Sequence, residues 1–226
     1  MSSDTEVYRC HFVDQDIEIG RNFDAPVWAN AEPVPFYLPI TLDEPVSKTE
    51  AGLLWSKSHL YVCFKAYDRD VFARHTKRDS TTCNDDVLEL FFKPLAGKET
   101  YYNFEINALN TVYDACNLRQ GAAGGHERWR MWDCKGLKSD VYIKGTINDP
   151  TDEDEYWMLQ MGVPFNELDL GGKPCPEPGD QWKFHLSRYD YSLYLPGNGQ
   201  ELSSSAKLSK VDFHYLDDWG TLEFVR

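Results

Sequence analysis

Along most of this chain apolar and polar residues alternate with a period of two, and turn residues break the alternation at intervals. Residues 50–67, EAGLLWSKSHLYVCFKAY, predict two strands around a polar turn at Ser56–His59, the second pointing Leu60, Val62, Phe64 and Ala66 to one side. Residues 86–92 (DVLELFF) set Leu88, Leu90 and Phe92 against Val87, Glu89 and Phe91. Residues 101–107 (YYNFEIN) alternate, turn at Leu109–Asn110 and return as TVYDAC. Further strands are predicted over 137–147, 155–163, 181–189 and 221–225. Helical periodicity is confined to a turn or two at Asp79–Asn84 and Phe165–Leu168. Glycine and proline mark loops at 121–126 (GAAGGH, read as a flexible surface loop), 171–180 and 195–205, and none is biased enough to be an interdomain linker. The pattern predicts an all-β protein: a single antiparallel β-sandwich, jelly-roll-like, of about ten strands with very little helix, spanning 1–226 as one domain. Its core should hold Trp55, Leu60, Val62, Phe64, Leu88, Leu90, Phe104, Ile106, Trp157, Leu159 and Trp182.

Alternation also assigns the opposite faces. With Tyr102, Phe104 and Ile106 inward, Asn103, Glu105 and Asn107 line the other side, as Glu89 does opposite Leu88 and Leu90. Trp182, Phe184 and Leu186 inward turn Lys183, His185 and Ser187 outward. If these strands are neighbours, one surface collects Glu89, Asn103, Glu105, Asn107 and His185. The plain reading is a solvated sheet face. The alternative is a surface for sugar hydroxyls, since carboxylates and amides accept and donate in planar geometry and nearby aromatics cover the apolar face of a pyranose ring.

Charge narrows the partners. Asp and Glu number 37 against 23 Lys and Arg, a formal net charge of −14, which argues against nucleic acid and against anionic membrane surfaces. The 14% aromatic content excludes a disordered chain. No apolar run is long enough to span a membrane and no signal peptide is visible, so the expected location is cytoplasmic; a secreted or periplasmic protein would fit if the chain is a processed form. The six cysteines show no C-x-x-C pair and are expected to be free thiols. Nucleotide-binding, metalloprotease, nucleophile-elbow and EF-hand motifs are all absent. The acidic run Asp152–Glu155 is read as a solvated loop.

The order of segments carries a resemblance. WSKSHLYVCFKAYDRDV, DDVLELFFKP, YYNFEINALNTVYDA, GVPFNEL, PGDQWKFHLSRYD and DFHYLDDWGTLEF, preceded by IEIGRNFDAPVWANAEPV, resemble the family 9 carbohydrate-binding modules, a DOMON-like β-sandwich, over about residues 17–226. The resemblance implies glycan binding, association with plant-polysaccharide hydrolases such as xylanases, and a structural calcium ion. In such modules two tryptophans clamp a terminal sugar. The first falls at Cys83, a departure; the second falls near Phe213, where an aromatic is kept. The family's strand carboxylate matches Glu89, and its polar strand positions match Asn103, Glu105 and Asn107. Trp129 or Trp132 is either a replacement wall or a core residue.

The leading expectation is therefore non-catalytic binding of polysaccharide fragments or chain ends, acting alone or beside a glycoside hydrolase on another chain. The expected site is Glu89, Asn103, Glu105, Asn107, His185, Arg188, Phe213 and His214. Phe213 would be the stacking platform, and Arg188 could join His185 only across a bulge. An alternative is a glycoside hydrolase using Glu89 and Glu105. A third is a haem-binding sandwich with Met158 or Met161 and a histidine as axial ligands, against which both methionines read as ordinary strand residues. No cofactor is required; for calcium the loop acids Asp68 and Asp70 are noted, without a dedicated ligand loop.

Overall fold

The structure is a computed structural model that describes residues 7–20, 22–120 and 132–226. Its strands are β1 (Val7–Phe12), β2 (Thr49–Trp55), β3 (His59–Tyr67), β4 (Val87–Lys93), β5 (Tyr101–Asn107), β6 (Val112–Asn117), β7 (Lys138–Lys144), β8 (Tyr156–Pro164), β9 (Gln181–Tyr191), β10 (Gln200–Ser204) and β11 (Gly220–Val225). They join in the order β6-β5-β4-β9-β11-β1-β2-β3-β8-β7, with β10 also on β9. The expected short helical stretches are 3-10 turns at Thr82–Asn84 and Phe165–Glu167. The GAAGGH segment and Trp129 lie outside the described residues.

The sheet curls into a sandwich because its alternating apolar faces must meet. β4, β5, β9 and β11 turn Leu88, Leu90, Phe92, Phe104, Ile106, Trp182, Leu186 and Phe224 onto Leu53, Trp55, Val62, Phe64, Trp157, Leu159 and Met161 of β2, β3 and β8, and these residues form one buried cluster. Aromatic rings lock it: Phe224 meets Trp182 at 4.6 Å and Trp55 at 5.3 Å. Every residue expected in the core is buried there.

Two strands were not anticipated. β1 is parallel to both β11 and β2, so it stitches the two layers into one mixed sheet. β10 (QELSS) has no apolar alternation. It forms because β11 pairs only with residues 181–184 of β9, and the backbone groups of 187–191 on that same edge need another partner. The acidic run departs from its expected solvation at one position. Asp154 is buried and accepts the backbone N–H groups of Val71 (2.7 Å) and Thr146 (2.6 Å), tying the β7–β8 hairpin to the loop after β3.

Candidate functional site

Register decides which polar residues meet. On the outer face of β9-β4-β5-β6 one row runs Ser187–Glu89–Glu105–Tyr113, and the next runs His185–Phe91–Asn103–Ala115. The face is not solvated. Thr82–Asn84 crosses one end of it, and residues 205–219 cover the other with a second apolar cluster of Phe91, Tyr101, Leu208, Phe213, Leu216 and Trp219. Glu89, Asn103, Glu105 and Ser187 are therefore buried, and the half-buried Cys83 and Tyr189 stand at the margin.

Hydrogen bonds orient this floor. Asn117 Nδ2 donates to Asn103 Oδ1 (2.7 Å), and Asn103 Nδ2 donates to Glu105 Oε1 (2.9 Å). Thr82 Oγ1 donates to Glu105 Oε2 (2.9 Å), and Ser187 Oγ donates to Glu89 Oε2 (2.6 Å). Burial first, and then the Glu105 carboxyl, push the Glu89 carboxyl well above the ordinary range; Ser187 pulls the other way. Burial and the two carboxyls push the Cys83 thiol up to about 12. Tyr191 Oη donates to the Cys83 carbonyl (2.6 Å), which pins the crossing turn.

The expected site residues divide. Glu89, Asn103 and Glu105 converge. Asn107 shares their face but is spent on structure: its amide donates to His75 O (2.8 Å) and Asp85 Oδ2 (2.7 Å), and its carbonyl accepts Leu109 N (3.1 Å) and Thr111 N (2.8 Å). His185 is fully buried, stacked on Phe91 at 4.6 Å and bonded to Phe213 O (2.8 Å) and Ser204 Oγ (3.1 Å). Burial lowers its pKa to about 3, so it is a neutral strut. His214 meets Tyr101 Oη through Nδ1 (2.8 Å) and is lowered to about 4 by burial. Phe213, expected as an exposed platform, is only 4% exposed; its carbonyl also accepts Trp219 Nε1 (2.9 Å). Its ring meets the edge of Tyr189 at 5.2 Å and 80°, leaving Tyr189 as the aromatic beside the polar row. Sequence alternation already turned Ser187 outward; Tyr189, two residues on, continues the same alternation onto this face. Tyr113 and Thr82 required the register and the crossing turn. Trp132 packs on Tyr102 (5.2 Å) and Phe104 (6.1 Å), on the core side, so it is no wall of this site.

Arg188 requires correction. The β4–β9 ladder runs without a bulge from Val87↔Tyr189 to Lys93↔Lys183, so Arg188 shares the core face with Leu186. There its Nη1 donates to Tyr67 O (3.0 Å), Lys48 O (3.3 Å) and Thr49 Oγ1 (3.3 Å), and its Nη2 pairs with Asp68 (3.0 Å) and Asp190 (3.1 Å). Asp68, Asp86 and Asp190 bring carboxylate oxygens within 4.8 Å of one another, the grouping a calcium ion would require. The residues do not fit one. The guanidinium already stands against Asp68 and Asp190, and Asp86 accepts Phe72 N (2.6 Å) and Tyr191 N (2.7 Å). Calcium wants six to eight oxygens around itself alone. Asp70 likewise spends a carboxylate oxygen on Leu193 N (2.9 Å). A second grouping, Asp79, Asp114 and Asp133, has Arg78 against Asp114 (2.5 Å) and Asp133 (3.5 Å).

Haem does not fit either. Met161 is sealed in the core. Met158 faces a groove on the other layer lined by Asp24, Glu32, Lys48, Glu50 and Lys65 and, among the described residues, by no histidine.

The chain is thus a curled sandwich whose outer face is floored by oriented polar side chains and covered by its own loops. No protein-family model matches the chain, and no curated protein matches it. Solved structures do. A Bacteroides uniformis protein provisionally described as carbohydrate-binding aligns with a TM-score of 0.73 at 17% identity, over 98% of this chain and 100% of that one. A carbohydrate-binding module of family 9 from Caldicellulosiruptor kristjanssonii, in complex with cellotriose, aligns with a TM-score of 0.63 at 12% identity, over 97% of this chain and 94% of that one. The same organism's family 9 module in complex with glucose gives 0.60 at 12%, over 98% and 97%. The fold implied by the sequence resemblance is the fold this chain has.

Proposed function

We propose that the chain binds glycans without cleaving them, through the Ser187–Glu89–Glu105–Tyr113 row. The observation that carries this reading is a set of buried, mutually oriented donors and acceptors in mid-face, in a fold shared with a module that holds cellotriose. Such groups are oriented before a ligand arrives, so hydroxyls meet partners already in place. Tyr189 supplies the ring contact that the clamp's tryptophans supply elsewhere, and Cys83 stands where the other aromatic would be. Affinity should be micromolar to millimolar, about −4 to −8 kcal/mol, since each sugar hydrogen bond replaces one to water. A partner hydrolase on another chain is part of this proposal.

Calorimetry with glucose, cello-oligosaccharides and a broad glycan panel tests it. Tyr189→Ala should weaken binding about tenfold through lost ring contact, roughly 1–1.5 kcal/mol. No binding by folded protein across the panel would refute the reading.

Direct opposition of Glu89 and Glu105 also favours a second reading, a glycosidase, because opposed residues sit at about the separation of a retaining pair. Glu105, however, has both oxygens accepting hydrogen bonds from the protein, which suits an acceptor better than a nucleophile. Release of reducing sugar from a polysaccharide panel would decide for the enzyme.

A further inference from the structure

We propose that Glu89 and Glu105 share one proton, resident on Glu89, so that the floor of the site offers a carboxylic-acid hydroxyl as donor beside a carboxylate as acceptor. This rests on reading the face as a glycan site, and it reverses the role that the sequence suggested for Glu89.

The geometry supplies the pair. Glu89 lies directly opposite Glu105 in the β4–β5 ladder, and their exposures are 2% and 9%. Opposed strand residues have Cβ atoms about 4.5–5.5 Å apart. Two carboxyls so close, away from water, resist being ionised together. The donors around them decide which keeps the proton. Glu105 accepts from Thr82 Oγ1 and Asn103 Nδ2, one donor on each oxygen, and such bonds stabilise the charged form. Among the described residues Glu89 accepts only from Ser187, on Oε2, and no donor reaches its Oε1.

Among the described residues, the titratable groups facing Glu89 from the crossing turn and from β9 carry no charge at neutral pH. Burial raises the Cys83 thiol on the crossing turn to about 12, and raises the Tyr189 and Tyr191 phenols on β9. His185, also on β9, is lowered to about 3. Asp86, at the head of β4, does not join them: alternation turns it to the opposite side with Leu88, toward Arg188, and it spends both oxygens on backbone N–H groups.

A donor beside an acceptor matches two adjacent hydroxyls of a neutral sugar. One hydroxyl donates to Glu105, and its neighbour accepts from the acid hydroxyl of Glu89. Two carboxylates would offer acceptors alone and leave the second hydroxyl's lone pairs unanswered.

Two measurements test the proposal. In unliganded, 13C-glutamate-labelled protein with resonances assigned through bonds, the Glu89 carboxyl should titrate well above the other glutamates between about pH 4 and about pH 9. Titration in the ordinary glutamate range overturns the proposal, and this arm needs neither a variant nor a ligand. By calorimetry with glucose and cellotriose, Glu105→Gln should lose at least about tenfold more affinity than Glu89→Gln, whose amide still donates. The parent's affinity should fall as pH rises through the Glu89 titration, and that of Glu89→Gln should stay flat. Affinity lost in Glu89→Gln but kept in Glu105→Gln would put the charge on Glu89 and overturn the proposal. A parent that binds no sugar refutes the glycan reading instead, and the titration still decides the proton.

Discussion

Replacing Arg188 by methionine should destabilise the protein by about 4 kcal/mol or more. The guanidinium stands between two layers: it is anchored on β9 and bonded to carbonyls and a hydroxyl at the ends of β2 and β3. It also neutralises part of a three-aspartate cluster that has almost no contact with water. Methionine fills much of the volume but leaves Asp68, Asp86 and Asp190 without their cation. Breaking one buried pair costs about 3–5 kcal/mol, and the donors lost to the Tyr67 carbonyl and the Thr49 hydroxyl add to that. For a chain of this length about 4 kcal/mol lowers Tm by roughly 8–16 °C. Urea unfolding and a thermal scan measure the loss. Two further readouts separate charge from packing. Burial already holds Asp68 up at about 6 despite Arg188, so the variant's aspartates should cling to protons and its deficit should shrink toward acid pH. Arg188→Lys, which returns a cation to the cluster, should recover part of the loss. A loss below about 1 kcal/mol, independent of pH, would show that the guanidinium does not hold the cluster together.

Phe213→Ala should cost about 3–5 kcal/mol of stability, since the ring is packed under the 205–219 loop; a variant that melts normally would return Phe213 to the ligand. Gly145→Ala should destabilise, because a Cβ there would lie 1.9 Å from the Asp154 carboxylate that closes the hairpin, and an unchanged melting curve would refute this. Stability of the parent should fall as pH rises above about 4.3 toward the raised Glu89 pKa, because in that window the native state holds a proton the unfolded chain has released. Urea midpoints at about pH 5 and about pH 8 should therefore differ less in Glu89→Gln than in the parent.

Period-two alternation determined the strands with long apolar faces, because each of β2 to β5, β8 and β9 turns one apolar side into the core and the pattern records that side directly. The same rule put Glu89, Asn103, Glu105 and Ser187 on one surface and correctly set Arg188 out of step with His185. What alternation does not report is what lies above a face. The 205–219 segment folds Phe213, His214 and Trp219 over β4 and β9, so His185 becomes a roof support and Phe213 a roof residue, and Asn107 is taken up by a loop more than twenty residues earlier in the chain. β10 exists because β9 outruns β11, and β1 because the curled sheet needs a strand between its layers. These depend on contacts between residues distant in sequence. Local pattern fixes which way a side chain points; only the tertiary structure decides whether it meets solvent, a ligand or another part of the chain.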